Sequence, residues 1–304
     1  MYIRRTILAV AFLLVPTSSG SAPQSLDFCS GWSVGQQLDF VARRVDEARA
    51  AGKPATRVVS SLPVQVDVID QDASGFKIAW TYGTTTIEEN TEGPLAGWAL
   101  SLFDGLRVEL RTDAAGRVKS VANARTVKEF LIVTRRRMAA ELEEIEVASE
   151  QRELLSRVLH VLTEPQRSAN LPLPDAEFLL QICGQSLAPG QRRSVAPASA
   201  AFEVFERKVS FVLRAVDRAA TRATIEWRNE EDPRAKEFLG ALFRLIAEAQ
   251  GNPRQRLQIR DAGTIEFDFA SGWPERVTHD RSVRFGKTVE RIRTEIERVP
   301  HDPT

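Results

Sequence analysis

The sequence predicts an α+β protein made of two related β-β-α-β-β repeats. They form curved antiparallel sheets packed on helices, with a helical insert between the repeats. Three observations carry this reading. Val66–Trp80 (VDVIDQDASGFKIAW) aligns without a gap on Leu213–Trp227 (LRAVDRAATRATIEW), matching Asp70 with Asp217 and Trp80 with Trp227. With one residue dropped, Val108–Val121 follows the same VEL…G…V pattern as IEF…G…V in Ile265–Val277. CSGWSVGQQ at Cys29 also faces CGQSLAPGQR at Cys183. An internal repeat changes the unit that folds, so it precedes any assignment of elements. The expected organisation is a leader at 1–22, repeat 1 at 23–126, a helical insert and linker at 127–182, and repeat 2 at 183–304.

The leader has a basic start (MYIRR), an apolar run (TILAVAFLLV) and a small-residue exit (PTSSGSA). This is the layout of a secretory signal peptide, and the run is too short to span a bilayer. Cleavage is expected after Gly20, Ser21 or Ala22. A Gly-Gln step opens each repeat, at Gly35-Gln36 and Gly190-Gln191. Leu38, Val41, Ala42, Val45 and Ala48 then have helical spacing, whereas the matching stretch of repeat 2 contains Pro197, which a helix interior rejects.

The aligned cores alternate, carry β-branched and aromatic residues, and turn at Asp/Gly, which predicts β-hairpins. The first runs from Val64 to Trp80. The second pairs Val209–Val216 with Thr224–Trp227. Helical stretches follow at Pro94–Phe103 and Ala235–Gln250. Two strands come after each: Leu106–Thr112 with Arg117–Ala122, and Arg256–Ile259 with Thr264–Phe269. Pro274–Phe285 and Thr288–Val299 read as a terminal hairpin. The insert Val127–Leu162 has amphipathic helical spacing, Pro165–Pro174 breaks it, and Asp175–Ile182 forms a second helix.

Charge is balanced at 41 basic against 41 acidic residues, which removes the electrostatic basis for nucleic-acid binding. No later apolar run approaches the ~20 residues of a membrane-spanning helix. The two cysteines of an exported chain predict a Cys29–Cys183 disulfide. With no CxxC and no neighbouring histidine they do not make a metal site.

Catalytic signals are thin. Gly31-Trp32-Ser33-Val34-Gly35 matches GxSxG, but that motif needs a strand-to-helix elbow in a parallel sheet, and none can precede Ser33 here. His160 falls on a predicted helix and His301 in a tail. His279 and Asp280 are neighbours on a strand and so point to opposite faces. Asp70 and Asp217 enter hairpin turns, where aspartate caps its own backbone. Trp80 and Trp227 close the second strand of each hairpin and face inward. They fill a core or line an aromatic concavity for an apolar ligand. No cofactor and no metal are expected.

The order of leader, Gly-Gln entry, hairpin ending in tryptophan, helix, and a strand-turn-strand such as Leu110–Asn123 (LRTDAAGRVKSVAN) resembles uncharacterised exported proteins and lipoproteins of Gram-negative bacteria. More distantly it resembles the half-barrel lipoprotein carriers of the periplasm, in which a curved antiparallel sheet wraps helices and shelters an acyl chain. The resemblance implies a soluble periplasmic, non-enzymatic protein that binds an apolar small molecule or lipid, or an envelope protein. An assembly factor without ligand is the alternative, and a serine hydrolase through Ser33 is the third reading.

Overall fold

The computed structural model describes residues 25–29, 31–52, 54–93, 97–98, 100–146, 174–195, 208–230, 257–285 and 288–300, with positions 149, 152, 153, 156 and 159. Fourteen strands are found there: β1 (Leu26–Asp27), β2 (Gln37–Arg49), β3 (Thr56–Asp72), β4 (Gly75–Tyr82), β5 (Thr86–Asn90), β6 (Arg107–Thr112), β7 (Val118–Val121), β8 (Ser186–Leu187), β9 (Arg192–Val195), β10 (Lys208–Asp217), β11 (Arg222–Glu230), β12 (Leu257–Asp268), β13 (Trp273–Phe285) and β14 (Thr288–Val299). The delimited α-helices are α1 (Ala124–Glu144) and α2 (Pro174–Leu180).

Twelve strands form one antiparallel sheet in the order β7-β6-β4-β3-β2-β14-β13-β12-β11-β10-β9, with β5 added against β3. β3 is 17 residues long, so its second part pairs with β4 while Val58–Ser61 pairs with β5. Two five-stranded meanders, β2-β3-β4-β6-β7 and β9-β10-β11-β12-β13, therefore lie side by side in the same sense, with β14 between them.

This corrects the expected class. The protein is predominantly β, with one continuous sheet, and not an α+β protein whose sheets pack on helices. The stretch with helical spacing at Leu38–Ala48 lies inside β2. Its buried residues are Leu38, Phe40 and Ala42, a period of two, and Val41 and Val45 are β-branched. Pairing decides it: β2 bonds to β3 on one side and to β14, some 250 residues away in sequence, on the other. Arg256–Ile259 and Thr264–Phe269, expected as two strands, run together as β12. The Asp261-Ala262-Gly263 step is not a turn.

Other expectations meet the structure more closely. Positions 97, 98 and 100 are helical and run into a 3-10 turn at Ser101–Phe103. The terminal hairpin is β13 with β14. α1 buries Val127, Leu131, Thr134, Met138 and Leu142 at helical spacing, and the Trp98 indole N–H donates to the Met138 carbonyl at 3.0 Å. The leader, Pro165–Leu173, the helical stretch at Ala235–Gln250, His160 and His301 lie outside the described residues.

The sheet curls around a single apolar core shared by both meanders. Trp32 demonstrates the curl. Its ring lies 5.5 Å from Phe76 on β4 and 4.3 Å, stacked, from Trp273 on β13. Those strands stand four positions apart, roughly 19 Å in a flat sheet at ~4.8 Å per strand. Into the concavity pack α2 and a disulfide-linked plug. Cys29 and Cys183 are bonded, with Cα atoms 5.0 Å apart, and β1 pairs with β8 beside them. Gly116 (φ 79°) makes the contact possible: a Cβ there would come within 2.9 Å of the Cys29 Cβ and 3.0 Å of the Trp32 ring.

Candidate functional site: a polar band on the inner face

Register places an unusual row of side chains on the inner face. Arg44 on β2 stands opposite Thr294 on β14, which faces His279 on β13, then Gly263 on β12 and Trp227 on β11. One row further along the strands, Asp46 stands opposite Ile292, which faces Arg281 and then Asp261. The next row brings Ala48, Glu290, Val283 and Ile259. Nearer the plug the same face is wholly apolar, with Ala42, Ile296, Val277, Ile265 and Ile225. A band of charge thus crosses four neighbouring strands, β2, β14, β13 and β12, on the side where a sheet ordinarily buries hydrocarbon.

Charges on a buried face persist only when paired and hydrogen-bonded. Asp261 is 8 % exposed and accepts from three partners. His279 Nε2 lies 2.8 Å from Oδ1, Arg281 Nε donates to Oδ1 at 2.7 Å, and Asn229 Nδ2 donates to Oδ2 at 3.2 Å. Burial pushes its pKa up, but the hydrogen bonds from His279 and Arg281 outweigh that and hold the carboxyl well below the usual range. Arg44 Nε donates to Asp46 at 2.9 Å. Among the described residues Glu290 has no such hydrogen-bonded partner: burial first, then the Asp46 carboxylate, raises its pKa, with the Arg44 and Arg281 charges acting in the opposite direction.

α2 delivers one further acid. Burial raises the pKa of Asp175, in the first turn of α2, to about 6, with the Arg44 charge acting in the opposite direction. The Asp175 charge also reaches Tyr82 on β4. There burial is the main reason the hydroxyl pKa stands well above its ordinary value, Asp175 adds to it, and hydrogen bonding with the Trp80 indole opposes it. Asp175 therefore joins the band to the first meander.

Aromatic rings frame the band. Phe178 of α2 lies 4.2 Å from the His279 ring and 5.6 Å from Trp227, and Trp227 lies 5.5 Å from His279. Gly263 makes room for them. A Cβ there would come within 2.7 Å of Trp227 Nε1 and collide with the Thr278 carbonyl. Both tryptophans expected at a ligand site are buried, Trp80 at 0 % and Trp227 at 1 % exposure. Among the described residues Trp227 Nε1 is buried with no hydrogen-bond partner, and Trp80 Nε1 and Tyr82 Oη have none beyond their contact with each other. A buried orphan donor costs about 1–3 kcal/mol, so such groups facing one interior call for an acceptor.

The other candidates fall elsewhere. Ser33 is exposed in the turn between β1 and β2, where its carbonyl accepts from Gln36 N–H, and a strand rather than a helix follows it. His279 and Asp280 do point apart: Asp280 is exposed and bound by Arg293 at 2.8 Å. Asp217 caps its turn by accepting from Ala219 and Ala220 N–H. In the first hairpin that task belongs to Asp72, which accepts from Ser74 N–H, while Asp70 accepts from Gln71 N–H. Among the described residues no cluster of His, Cys, Asp and Glu could hold a metal ion.

Sequence reasoning missed Arg44, Asp46, Asp175, Asp261, Arg281 and Glu290. Only a pattern of charges in the inward phase of a strand could have flagged them. In β2 that phase was hidden by a helical reading, and in β12 by an expected turn.

The fold and this interior define a mainly β protein with one curled sheet and a polar-banded inner face. No family model matches the chain, and no curated protein does. Among solved structures it is similar to lipovitellin, in a structure concerned with lipid–protein interactions, at 8 % identity and a TM-score of 0.46 over 90 % of this chain and 26 % of that one. It is also similar to DynF of the dynemicin biosynthesis pathway of Micromonospora chersina (6 % identity, TM-score 0.22, 95 % of this chain and 92 % of that one). A DUF1329 family protein from Desulfovibrio piger follows, at 8 % identity and a TM-score of 0.16, over 85 % and 84 % of the two chains. The chain spans about a quarter of the lipovitellin chain, and likenesses at this level extend no function to it.

Proposed function

We propose that this protein is an exported, non-enzymatic binding protein whose ligand is an apolar molecule with a polar end. The observation that carries the proposal is the set of buried orphan donors, Trp80 Nε1, Tyr82 Oη and Trp227 Nε1, beside a polar band inside an otherwise apolar core. The polar end of the ligand accepts from these donors. Its hydrocarbon lies along Ala48, Ile259 and Ile292, the half-buried apolar positions that alternate with the charges of the band. Neutral oxygen fits best, because Asp46, Asp175, Asp261 and Glu290 outnumber Arg44 and Arg281 there. Export rests on the Cys29–Cys183 bond, which persists in oxidising compartments, and on the leader-like segment at 1–22. The repeat origin of the two meanders, which run in the same sense, belongs to the same proposal.

The test is a calorimetric titration with 1-dodecanol, an apolar chain ending in a neutral oxygen, on the native protein and on Tyr82→Phe. Tyr82→Phe removes an orphan hydroxyl without changing ring packing. It should leave the unliganded protein as stable or more so, and weaken dodecanol binding about fivefold to tenfold, the worth of one hydrogen bond. Absence of dodecanol binding to the native protein, or equal affinity in the two proteins, overturns the proposal.

A further inference from the structure

The outer face of the same strands carries a second, independent feature. Arg260 on β12 stands opposite Ser282, which faces Arg291 on β14, and Arg291 in turn stands opposite Glu47 on β2, a carboxylate held by Arg57. One row along, Gln258 stands opposite Arg284, and Val289 stands opposite Arg49 on β2. These positions alternate with the inward Asp261, Val283, Glu290 and Ala48, so all four arginines leave the sheet on the solvent side, and all four are exposed. None of the four has a carboxylate partner among the described residues. Their neighbours differ: Arg293 is held by Asp280, and Arg57 by Glu47 and Glu89. Between Arg260 and Arg284 lies a shallow depression of about 100 Å³ whose rim is Gln258, Arg260, Ser282 and Arg284.

Unpaired arginines side by side repel one another. In a chain with 41 basic and 41 acidic residues there is no shortage of acids with which to pair them. Adjacent strands are ~4.8 Å apart and successive outward residues ~7 Å apart along a strand, so the cluster spreads over roughly 15 Å. That is too wide for a single small anion to reach every guanidinium, and it suits a surface that presents several phosphates at once. Arginine is the side chain best matched to phosphate, through its planar fork of donors.

We infer that this outer patch of β2, β12, β13 and β14 docks the protein on an anionic phospholipid bilayer, each arginine meeting a head-group phosphate. The patch lies on the opposite face of the sheet from the ligand site proposed above and does not depend on it. Surface charge of this kind is felt over about a Debye length, ~8–10 Å at physiological ionic strength, so docking acts at contact and is lost in salt.

Co-sedimentation with vesicles of equal phosphatidylglycerol and phosphatidylcholine, against pure phosphatidylcholine, tests this. Each arginine near such a surface contributes about a fivefold factor in binding. Arg260→Gln with Arg284→Gln should therefore lower partitioning about 25-fold, while Arg125→Gln on the exposed face of α1 leaves it unchanged. Circular dichroism of the variants should match the native protein, since all these side chains stand in solvent. Salt-sensitive binding to the anionic vesicles alone, weakened by the double variant, supports the inference. Equal binding to both vesicles, no binding to either, or no change in the double variant overturns it. Displacement by millimolar inorganic phosphate at constant ionic strength also overturns it, in favour of a small-anion pocket at the depression.

Discussion

Asp175 shows how much a single carboxyl can bias this interior. Its pKa of about 6 lies above the ordinary aspartate value because burial disfavours the charged form. Between pH 4 and 6 the folded protein binds a proton there that the unfolded chain has already released. By linkage, stability falls as pH rises through that window. Asp175→Asn should remove this slope and raise stability at pH 7 by about 1–3 kcal/mol, with little difference at pH 4. Chemical denaturation at both pH values reads the effect, and an unchanged pH profile would contradict the environment described. Asp261 works in the opposite direction. Its lowered pKa contributes stability above the ordinary aspartate pKa, and that is lost as pH falls. A protein that wanted only stability would carry hydrocarbon at these positions.

At the scale of elements, what was legible in the sequence follows the range of the interactions that decide it. The hairpin β3-β4 and the closing hairpin β13-β14 were visible, because alternation and turn residues are local. β2 was not: Leu38, Val41, Ala42 and Val45 have helical spacing while Leu38, Phe40 and Ala42 carry the period of two, and pairing with β3 and β14 selects the strand. β12 was cut in two by a local Asp-Ala-Gly signal, whereas Gly263 in fact clears space for Trp227. Even the gapless alignment of the two hairpins hid a shift. Trp80 stands opposite Val66, but Trp227 stands opposite Phe211 and not Leu213, because the second hairpin closes with a longer turn. The Cys29–Cys183 pairing was legible and is present. It ties the entry loop to the segment after α2 across 154 residues. Closing a loop of that length stabilises by about 5 kcal/mol in the chain-entropy account. Cys29→Ser with Cys183→Ser should lower the denaturation midpoint accordingly, and amides of α2 should exchange faster. Unchanged exchange in α2 would mean that the plug holds without its staple.

Across the whole molecule one sheet serves two surfaces. The inner face joins both meanders in a single core, and its central strands continue past that core into rows of mixed charge. The outer face of the same strands carries four arginines with no carboxylate partner among the described residues. Candidate residues Trp80 and Trp227 were found from their place in the repeat. Arg44, Asp46, Asp175, Asp261, Arg281 and Glu290 were not, because their meaning comes from register across four strands and from a helix that meets them in space. The central claim is that the orphan donors at Trp80, Tyr82 and Trp227 await the polar end of an apolar ligand. Native mass spectrometry of the disulfide-intact protein, purified without detergent, tests it most directly. A non-covalent adduct of lipid-like mass, released by organic solvent and reduced in occupancy by Tyr82→Phe, is the predicted result. A bare protein mass that 1-dodecanol does not shift would contradict it.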